Sequence, residues 1–256
     1  MTEDSGIRPV LEFTNLSKTF GPTKALLNVD FDVRPGEIHG LVGRNGSGKS
    51  TLIKCISGVY NSDEGEIKIN GEVVEFVNPE ESRSFGIETV YQNRALSEQQ
   101  TIYDNVFLGR EITNRFGFIN RKKEIEETES LMRKIGYTSK VWTPFSSVNK
   151  LSGGERQGVA ISRAILFESR LVILDEPTTA MALTEAAEVL EFVRNLKKAG
   201  KSVIFISHNP WDAHAVADRF VILERGKIVF DGPKGSMSAD DFIALLHKFA
   251  KKDIKS

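Results

Sequence analysis

The nine residues "GRNGSGKST" at 43–51 constrain this chain more than any other stretch. They fit the pattern G-x-x-x-x-G-K-[ST]. They also stand between a short apolar run, "EIHGLVG", and a segment that reads as helix, "KSTLIKCISGVY". A glycine turn between a buried strand and a helix N-terminus points backbone N–H groups at one spot with no Cβ in the way, which is how a polyphosphate is cradled. The backbone of Gly43, Asn45, Gly46, Ser47, Gly48, Lys49, Ser50 and Thr51 would wrap such a polyphosphate. Lys49 would reach the β- and γ-phosphates, and the Ser50 hydroxyl would ligate Mg2+.

The rest of the chain supplies the context such a loop needs. "VLEFTNLSKTF" and "ALLNVDFDVRPGE" alternate apolar and polar residues and read as antiparallel strands around a "GPTK" turn. "GEIKINGEVVEF" reads as two strands around Asn70-Gly71, a strong hairpin signal. "LVILDEP", "SVIFISH" and "RFVILERGKIVFDG" read as strands, the first two buried. "TEAAEVLEFVRNLKKAG" reads as a helix ending at Gly200, and "SADDFIALLHKFAKK" as a closing helix with Ser238 as N-cap. Between about 93 and 165 the character is helical, with Ile125, Thr128 or Glu129, Leu131 or Met132, and Ile135 at helical spacing. The fold class predicted is α/β: a P-loop NTPase core with a mostly parallel sheet, an antiparallel β layer beside it and an inserted helical subdomain.

Three further stretches carry chemistry. "LVILDEP" ends a buried strand in two carboxylates. Asp175 is placed to hold Mg2+ through water, and Glu176 to orient or deprotonate the water that attacks the γ-phosphate. "ISHN" puts His208 just past the next strand, where open α/β sheets bind ligands, within reach of the γ-phosphate and that water. Gln92, in "ETVYQNRAL", sits after a strand where the insertion begins. Its amide can touch Mg2+ or the water and move with the insertion. His39, inside an apolar strand, reads as a core histidine; His214 and His247 read as structural, and Cys55 as packing. "NKLSGGERQG" at 149–158 poses a puzzle. Its Ser-Gly-Gly before a helical run is a second device for holding an anion, about a hundred residues beyond the first.

Composition excludes several partners. The 256 residues suffice for one large α/β domain or one with an inserted subdomain. A net charge of −1 gives no basic field for nucleic acid. A single cysteine permits no internal disulfide and fits a reducing compartment. No apolar run approaches the ~20 residues of a membrane helix. "MTEDSGIRPV" lacks the apolar core of a secretory signal, so a cytosolic chain is expected, reaching a membrane only by docking.

In this order and spacing, "GRNGSGKST", "YQ", "LSGGERQ", "LVILDEP" and "ISH" resemble the ATP-binding subunits of ABC transporters over nearly the whole chain. The resemblance implies a single nucleotide-binding domain over 1–256 whose insertion carries the "LSGGERQ" signature. It implies a head-to-tail, ATP-dependent homodimer in which Ser152, Gly153 and Gly154 of one chain hold the γ-phosphate of ATP bound by the other. The two anion devices would then be halves of different sites. It also implies that Phe20, where the family commonly has tyrosine, stacks on adenine. One departure stands out: Ala182 occupies the place of an aspartate the family often carries after "DEPT", which puts in doubt how tightly the two sites are coupled. "HGLVGRNGSGKSTLIKCISGVY" and "VFLGREITNRFGFINRKK" resemble the subunits that energise monosaccharide import. That implies integral membrane permease subunits as partners and an extracytoplasmic sugar-binding protein as an indirect one, with the chain peripheral on the cytoplasmic face of the membrane. Alternatives are a motor for another transported substrate, a soluble ABC-type ATPase of DNA repair or translation, and a nucleotide-binding regulator that does not hydrolyse. The absence of long coiled coils and of a basic linker counts against the second, and the set Lys49, Asp175 and Glu176 against the third.

Overall fold

The computed structural model describes residues 8–92, 95–134, 142–166 and 169–252. Two sheets share one core. The first is antiparallel. Strands β1 (Leu11–Phe20) and β2 (Thr23–Val33) form a hairpin. Strand β3 (Ile38–Val42) then leaves for the second sheet, and β4 (Glu64–Ile69) and β5 (Glu72–Val74) complete the first in the order β2-β1-β4-β5. Asn70 and Gly71 turn between β4 and β5 with φ of 51° and 83°, the left-handed pair that a two-residue hairpin of this hand requires.

The second sheet adds β6 (Ile87–Val90), β7 (Leu171–Asp175), β8 (Ser202–Ser207), β9 (Arg219–Glu224) and β10 (Lys227–Pro233), in the order β10-β9-β3-β8-β7-β6. Its strands are parallel except β10, which returns antiparallel along β9. The apolar runs of β7 and β8 are explained by burial on both faces: Leu171–Leu174 and Ser202–Ser207 are buried throughout.

Eight helices lie around these sheets among the described residues: α1 (Lys49–Ile56), α2 (Pro79–Ser84), α3 (Ile102–Phe107), α4 (Arg121–Lys134), α5 (Gly153–Leu166), α6 (Leu183–Lys198), α7 (Pro210–Val216) and α8 (Ala239–Lys252). One apolar core, with Phe13, Leu26, Leu52, Ile204 and Leu223, fills the space between the sheets around α1. A second covers the opposite face of the parallel sheet under α5 to α8, with Phe205, Phe220, Leu196 and Phe242. A third, with Ile102, Val106, Leu131, Met132 and Leu151, belongs to the helical insertion. Helix α5 is common to the last two. Its Val159 packs into the insertion, while the adjacent Ala160 and Ile161 pack onto the sheet.

Two local expectations are corrected. The helix after the glycine loop ends at Ile56 rather than near residue 60, because Ser57 caps it and Gly58 takes φ of 69°. The buried stripe of α4 is Glu124, Thr128, Leu131 and Met132, with Ile125 only half-buried; Ile135 lies outside the described residues. A glutamate can occupy that stripe because its Oε1 accepts from the Ile112 N–H at 2.9 Å. Ser238 does cap α8: its Oγ accepts from the Asp241 N–H at 3.1 Å. No helix among the described residues is long and apolar enough to cross a membrane.

Candidate functional site

The glycine loop is held by backbone contacts that leave no room for a side chain at Gly43 or Gly48. A Cβ on Gly43 would run into the Leu223 carbonyl, and one on Gly48 would meet the Ala25 carbonyl at 2.6 Å. Gly48 also sits at φ of 110°, open only to glycine. The Gly226 N–H donates to the Ser47 carbonyl at 2.8 Å and ties the loop to the β9–β10 turn. The result is a helix start with no side-chain cap and no acid in its first turn. Buried Lys49 curls back: its Nζ donates to the carbonyls of Gly43 at 2.7 Å and Arg44 at 3.0 Å. A cation folded into a ring of N–H groups fits a polyphosphate that would satisfy both.

A cleft of about 630 Å3 opens over the loop. Asn45, Gly46, Gly48, Lys49, Ser50, Thr51, Gln92 and Glu176 share its wall. Residues predicted from three separate stretches therefore meet in one place, with Asp175 beside Glu176 at the end of β7. Glu176 is held in a left-handed conformation, φ 49°, by its N–H donating to the Ile206 carbonyl at 3.0 Å. A non-glycine residue in that region costs on the order of 1 kcal/mol and persists only where its surroundings fix it. The twist lifts the carboxylate off the strand. There Thr179 Oγ1 donates to Glu176 Oε2 at 3.0 Å, and His208 Nδ1 lies 3.1 Å from the same oxygen. His208, at the end of β8, is half exposed on that side.

The charges in this cleft are only partly compensated. Burial, with Glu176 beside it, pushes the Asp175 carboxyl above the usual carboxylate range, against the pull of Lys49. Burial likewise holds the Lys49 ammonium below its usual range, against Glu176 and Asp175. Among the described residues no three His, Cys, Asp or Glu side chains are grouped to hold a metal ion. A hydroxyl (Ser50), an amide (Gln92) and a desolvated carboxylate (Asp175) instead fit a hard cation that takes oxygen ligands, completed by the nucleotide's phosphates and water.

Phe20 stands at the rim, 42% exposed, at the end of β1 and paired with Thr23, which does line the cleft. Its ring meets Tyr60 edge-on at 5.2 Å, and the Lys18 ammonium lies 5.6 Å from its centroid. Sequence reasoning misses Tyr60, and it misses Arg225 on the cleft wall. Arg225 had a partial signal, since "ERGK" reads as a turn between two strands; the structure sets that turn against the glycine loop.

Ser152, Gly153 and Gly154 are not part of this cleft. They start α5, and carboxylates and a hydroxyl dress that start. Ser152 Oγ accepts from the Glu155 N–H at 3.1 Å, and the Ser152 N–H donates to Glu155 Oε2 at 2.8 Å. The Gly153 N–H donates to Glu185 Oε1 on α6 at 2.7 Å. Ala182, N-cap of α6, has no side-chain cap to offer, and Glu185 Oε2 accepts its N–H at 3.3 Å. The remaining histidines and the cysteine lie away from the cleft wall. His39 is fully buried, with its Nε2 accepting from Arg34 N–H at 3.3 Å. His214 stacks on Phe220 with centroids 5.8 Å apart, His247 is exposed, and burial pushes the Cys55 thiol up to about 11.

A phosphate loop that faces carboxylates at the carboxyl ends of parallel strands defines a nucleoside-triphosphate-binding domain of the P-loop class. Comparison with known proteins narrows the class. The family model described as ABC transporter matches residues 26–179, and the chain belongs to that family as an ATP-binding domain. It is 42% identical over 241 residues to the xylose/arabinose import ATP-binding protein of Sulfolobus acidocaldarius, covering 94% of this chain and 95% of that one. It is 42% identical over 225 residues to the fructose import ATP-binding protein of Rhizobium meliloti, covering 86% of each. A ribose import ATP-binding protein of Rubrobacter xylanophilus is 38% identical across 94% of this chain, which spans 48% of that longer protein. Among solved structures, a nucleotide-free ATP-binding cassette from an ABC transporter superposes with a TM-score of 0.77 at 26% identity, over 94% of this chain and 95% of that one.

Proposed function

We propose that this chain is the ATP-hydrolysing motor of a monosaccharide importer, acting as a head-to-tail homodimer on permease subunits at the cytoplasmic face of a membrane. A sugar-binding protein outside the membrane would be met only through the permease. Kinship with xylose/arabinose and fructose import proteins over nearly their whole lengths supports the branch. The observation that carries the mechanism is the separation of the two anion devices: Lys49, Ser50, Gln92 and Glu176 share one cleft, and Ser152–Gly154 lie outside it. The second device therefore plays no part in its own chain's cleft, and in this reading it serves a nucleotide held by another copy once Glu185 gives up the Gly153 N–H. A structural neighbour at 23% identity is a dimeric ATP-binding cassette holding ADP and Pi.

In this reading the loop binds the ATP phosphates through its N–H groups, and Lys49 exchanges its two internal carbonyls for β- and γ-phosphate oxygens. Phe20, at the rim, would stack on adenine. Ser50, Gln92 and, through water, Asp175 would hold Mg2+, which when bound neutralises phosphate charge. Glu176 accepts a hydrogen bond from the attacking water and takes up its proton. His208, already 3.1 Å from Glu176, fixes the carboxylate and reaches toward the γ-phosphate. Ser152, Gly153 and Gly154 of the second copy close over the same phosphate. The unit over 1–256 works as one domain, with 93–165 as its moving part. Gln92, at its edge, carries the state of the cleft into that part.

Mixed dimers test the shared site. One chain carries Lys49→Ala and the other Ser152→Arg. If sites form between chains, both lesions fall in one site and the other traps ATP, giving one occluded nucleotide per dimer. If each chain builds its own site, none is trapped.

A further inference from the structure

The segment 112–123, "ITNRFGFINRKK", joins α3 to α4 and carries four cations and no acid. The whole chain has a net charge of −1, so the remainder carries −1 − 4 = −5. The segment has a framework of its own. Thr113 and Ile119 form an antiparallel bridge, and the Asn114 N–H donates to the Phe118 carbonyl at 2.8 Å. Asn114 Oδ1 accepts from the N–H groups of Phe116 at 2.9 Å and Phe118 at 3.1 Å, and Gly117 makes the turn at φ of 81°. This framework holds Phe116, Phe118 and Ile119 out into water, 68%, 71% and 51% exposed. The Arg115 guanidinium lies 4.6 Å over the Phe116 ring.

Two features of this tip are unfavourable in water. Three large apolar groups are displayed by a hydrogen-bonded backbone instead of being buried. Arg121, Lys122 and Lys123 crowd the exposed start of α4 ahead of the buried Glu124, although the positive end of the helix dipole favours Asp and Glu there. Local choices that break two rules at one spot mark function rather than folding. Both penalties reverse against one kind of surface, which is negative outside and apolar beneath. Anionic lipid headgroups attract clustered Lys and Arg, and aromatic side chains settle at the boundary with the acyl chains.

We propose that the 112–123 tip is a lipid contact, seating Phe116, Phe118 and Ile119 at the headgroup–acyl boundary of an anionic membrane, with Arg115, Arg121, Lys122 and Lys123 on the headgroup phosphates. The proposal goes beyond the transport reading and does not rest on it, since none of these residues lines the nucleotide cleft.

The test is co-sedimentation of the purified full chain with extruded vesicles. One set is phosphatidylcholine alone, and the other contains roughly one-third phosphatidylglycerol; partition should favour the anionic set by on the order of 100-fold at low salt. Raising salt from about 0.05 to 0.5 M should remove most of that preference. The pair Phe116→Ser with Phe118→Ser should lower partition about tenfold or more while the melting curve is kept. The triple charge reversal Arg121→Glu, Lys122→Glu, Lys123→Glu should abolish it. Trp211→Ser, at an exposed tryptophan elsewhere, should leave it unchanged. Equal partition to both vesicle sets, no partition at low salt, or tip variants that sediment like the parent would overturn the proposal. So would tip variants that lose a permease partner while the parent ignores lipid, because the occupant would then be a protein.

Discussion

The chain contains two helix starts built to face an anion, and they are finished differently. At α1 the N-terminus is bare: Gly48 offers no side-chain cap, the first turn has no acid, and the nearby charge is the ammonium of Lys49. At α5 the N-terminus is clothed in carboxylate: Glu155 takes the Ser152 N–H and Glu185 takes the Gly153 N–H. At the bare end no carboxylate has to leave the helix N–H groups before a phosphate arrives; only Lys49 exchanges its two carbonyls. A clothed end must first give up an internal acceptor, and a charge-assisted hydrogen bond of that kind is worth about 1.5–3 kcal/mol. The difference implies an order. In the proposed dimer the loop would fill first, and the serine-glycine end would engage only when a second chain delivers enough phosphate charge to displace Glu185.

The largest expected effect separates filling of the loop from hydrolysis. Glu176→Gln keeps the shape and the Thr179 contact but loses the base. Turnover should fall on the order of 10²–10⁴-fold, the range of a positioned general base. ATP affinity should stay within a few-fold of the parent, and ATP-bound dimers should accumulate. Single-turnover hydrolysis beside nucleotide-binding titration checks it. Turnover close to that of the parent would detach Glu176 from the chemistry.

Next in size is the rim. Phe20→Ala should weaken ATP binding roughly tenfold or more, as the loss of one base–aromatic stack does. Phe20→Tyr should not. Tyr60→Ala, which removes the edge-on support 5.2 Å away, should show part of the same loss. These changes act on the bare end only, so the affinity of the first nucleotide should move without any change in the cooperativity of closure.

The clothed end is addressed by Glu185→Gln, which keeps an acceptor near the Gly153 N–H but drops the charge. Dimers formed in a Glu176→Gln background should appear at about three- to tenfold lower ATP, the difference between a charge-assisted and a neutral bond. Analytical ultracentrifugation across an ATP series reads the shift. An unchanged midpoint would mean that Glu185 merely ties α6 to α5. A smaller effect concerns the cleft without ligand. Because the Asp175 carboxyl titrates above its unfolded value, it favours the folded state when protonated, and that contribution is lost as pH rises through the raised value. Asp175→Asn should therefore melt higher than the parent at pH about 8 without Mg2+ or nucleotide, with a gap that closes as pH falls into the carboxylate range. Melting curves across pH check the sign.

How much of the molecule is legible in its sequence depends on where the information is stored. The glycine loop, β7 with its two carboxylates and β8 before His208 are local patterns, and each is readable because burial on both faces or a backbone shape leaves its mark on consecutive residues. Helix α2 is also written locally, as Asn78 capping a turn with Pro79 at its start, but six residues are too few for a periodic signal. The unreadable features depend on partners far along the chain. Glu124 looks like surface until Ile112 is placed against it, and Tyr60 has no meaning until it meets Phe20. Glu185 looks like an ordinary acid in a first turn. Only the packing of α5 on α6 shows that it answers a glycine 32 residues earlier.

The smallest effect tests how that clothing is maintained. Ala182 stands at the N-cap of α6 in extended conformation, ψ 156°, with no side-chain hydrogen bond, so one carboxylate of Glu185 serves both α6 and α5. Asp is among the best N-cap residues, and replacing Ala at such a position gains about 1 kcal/mol. The neighbourhood works against it. Burial, then Glu155 and Glu185, already hold the Glu188 carboxyl above the usual range, so another anion enters a crowded acidic corner. The net gain for Ala182→Asp should be about 0.5 kcal/mol at low salt and rise as salt screens the repulsion. Denaturant unfolding at two ionic strengths measures both. A loss of stability at high salt would show that α6 draws its cap wholly from Glu185. A gain combined with dimerisation at lower ATP would show that the charge of the added N-cap carboxylate loosens Glu185 from the Gly153 N–H, so that one substitution on α6 would retune the anion end of α5.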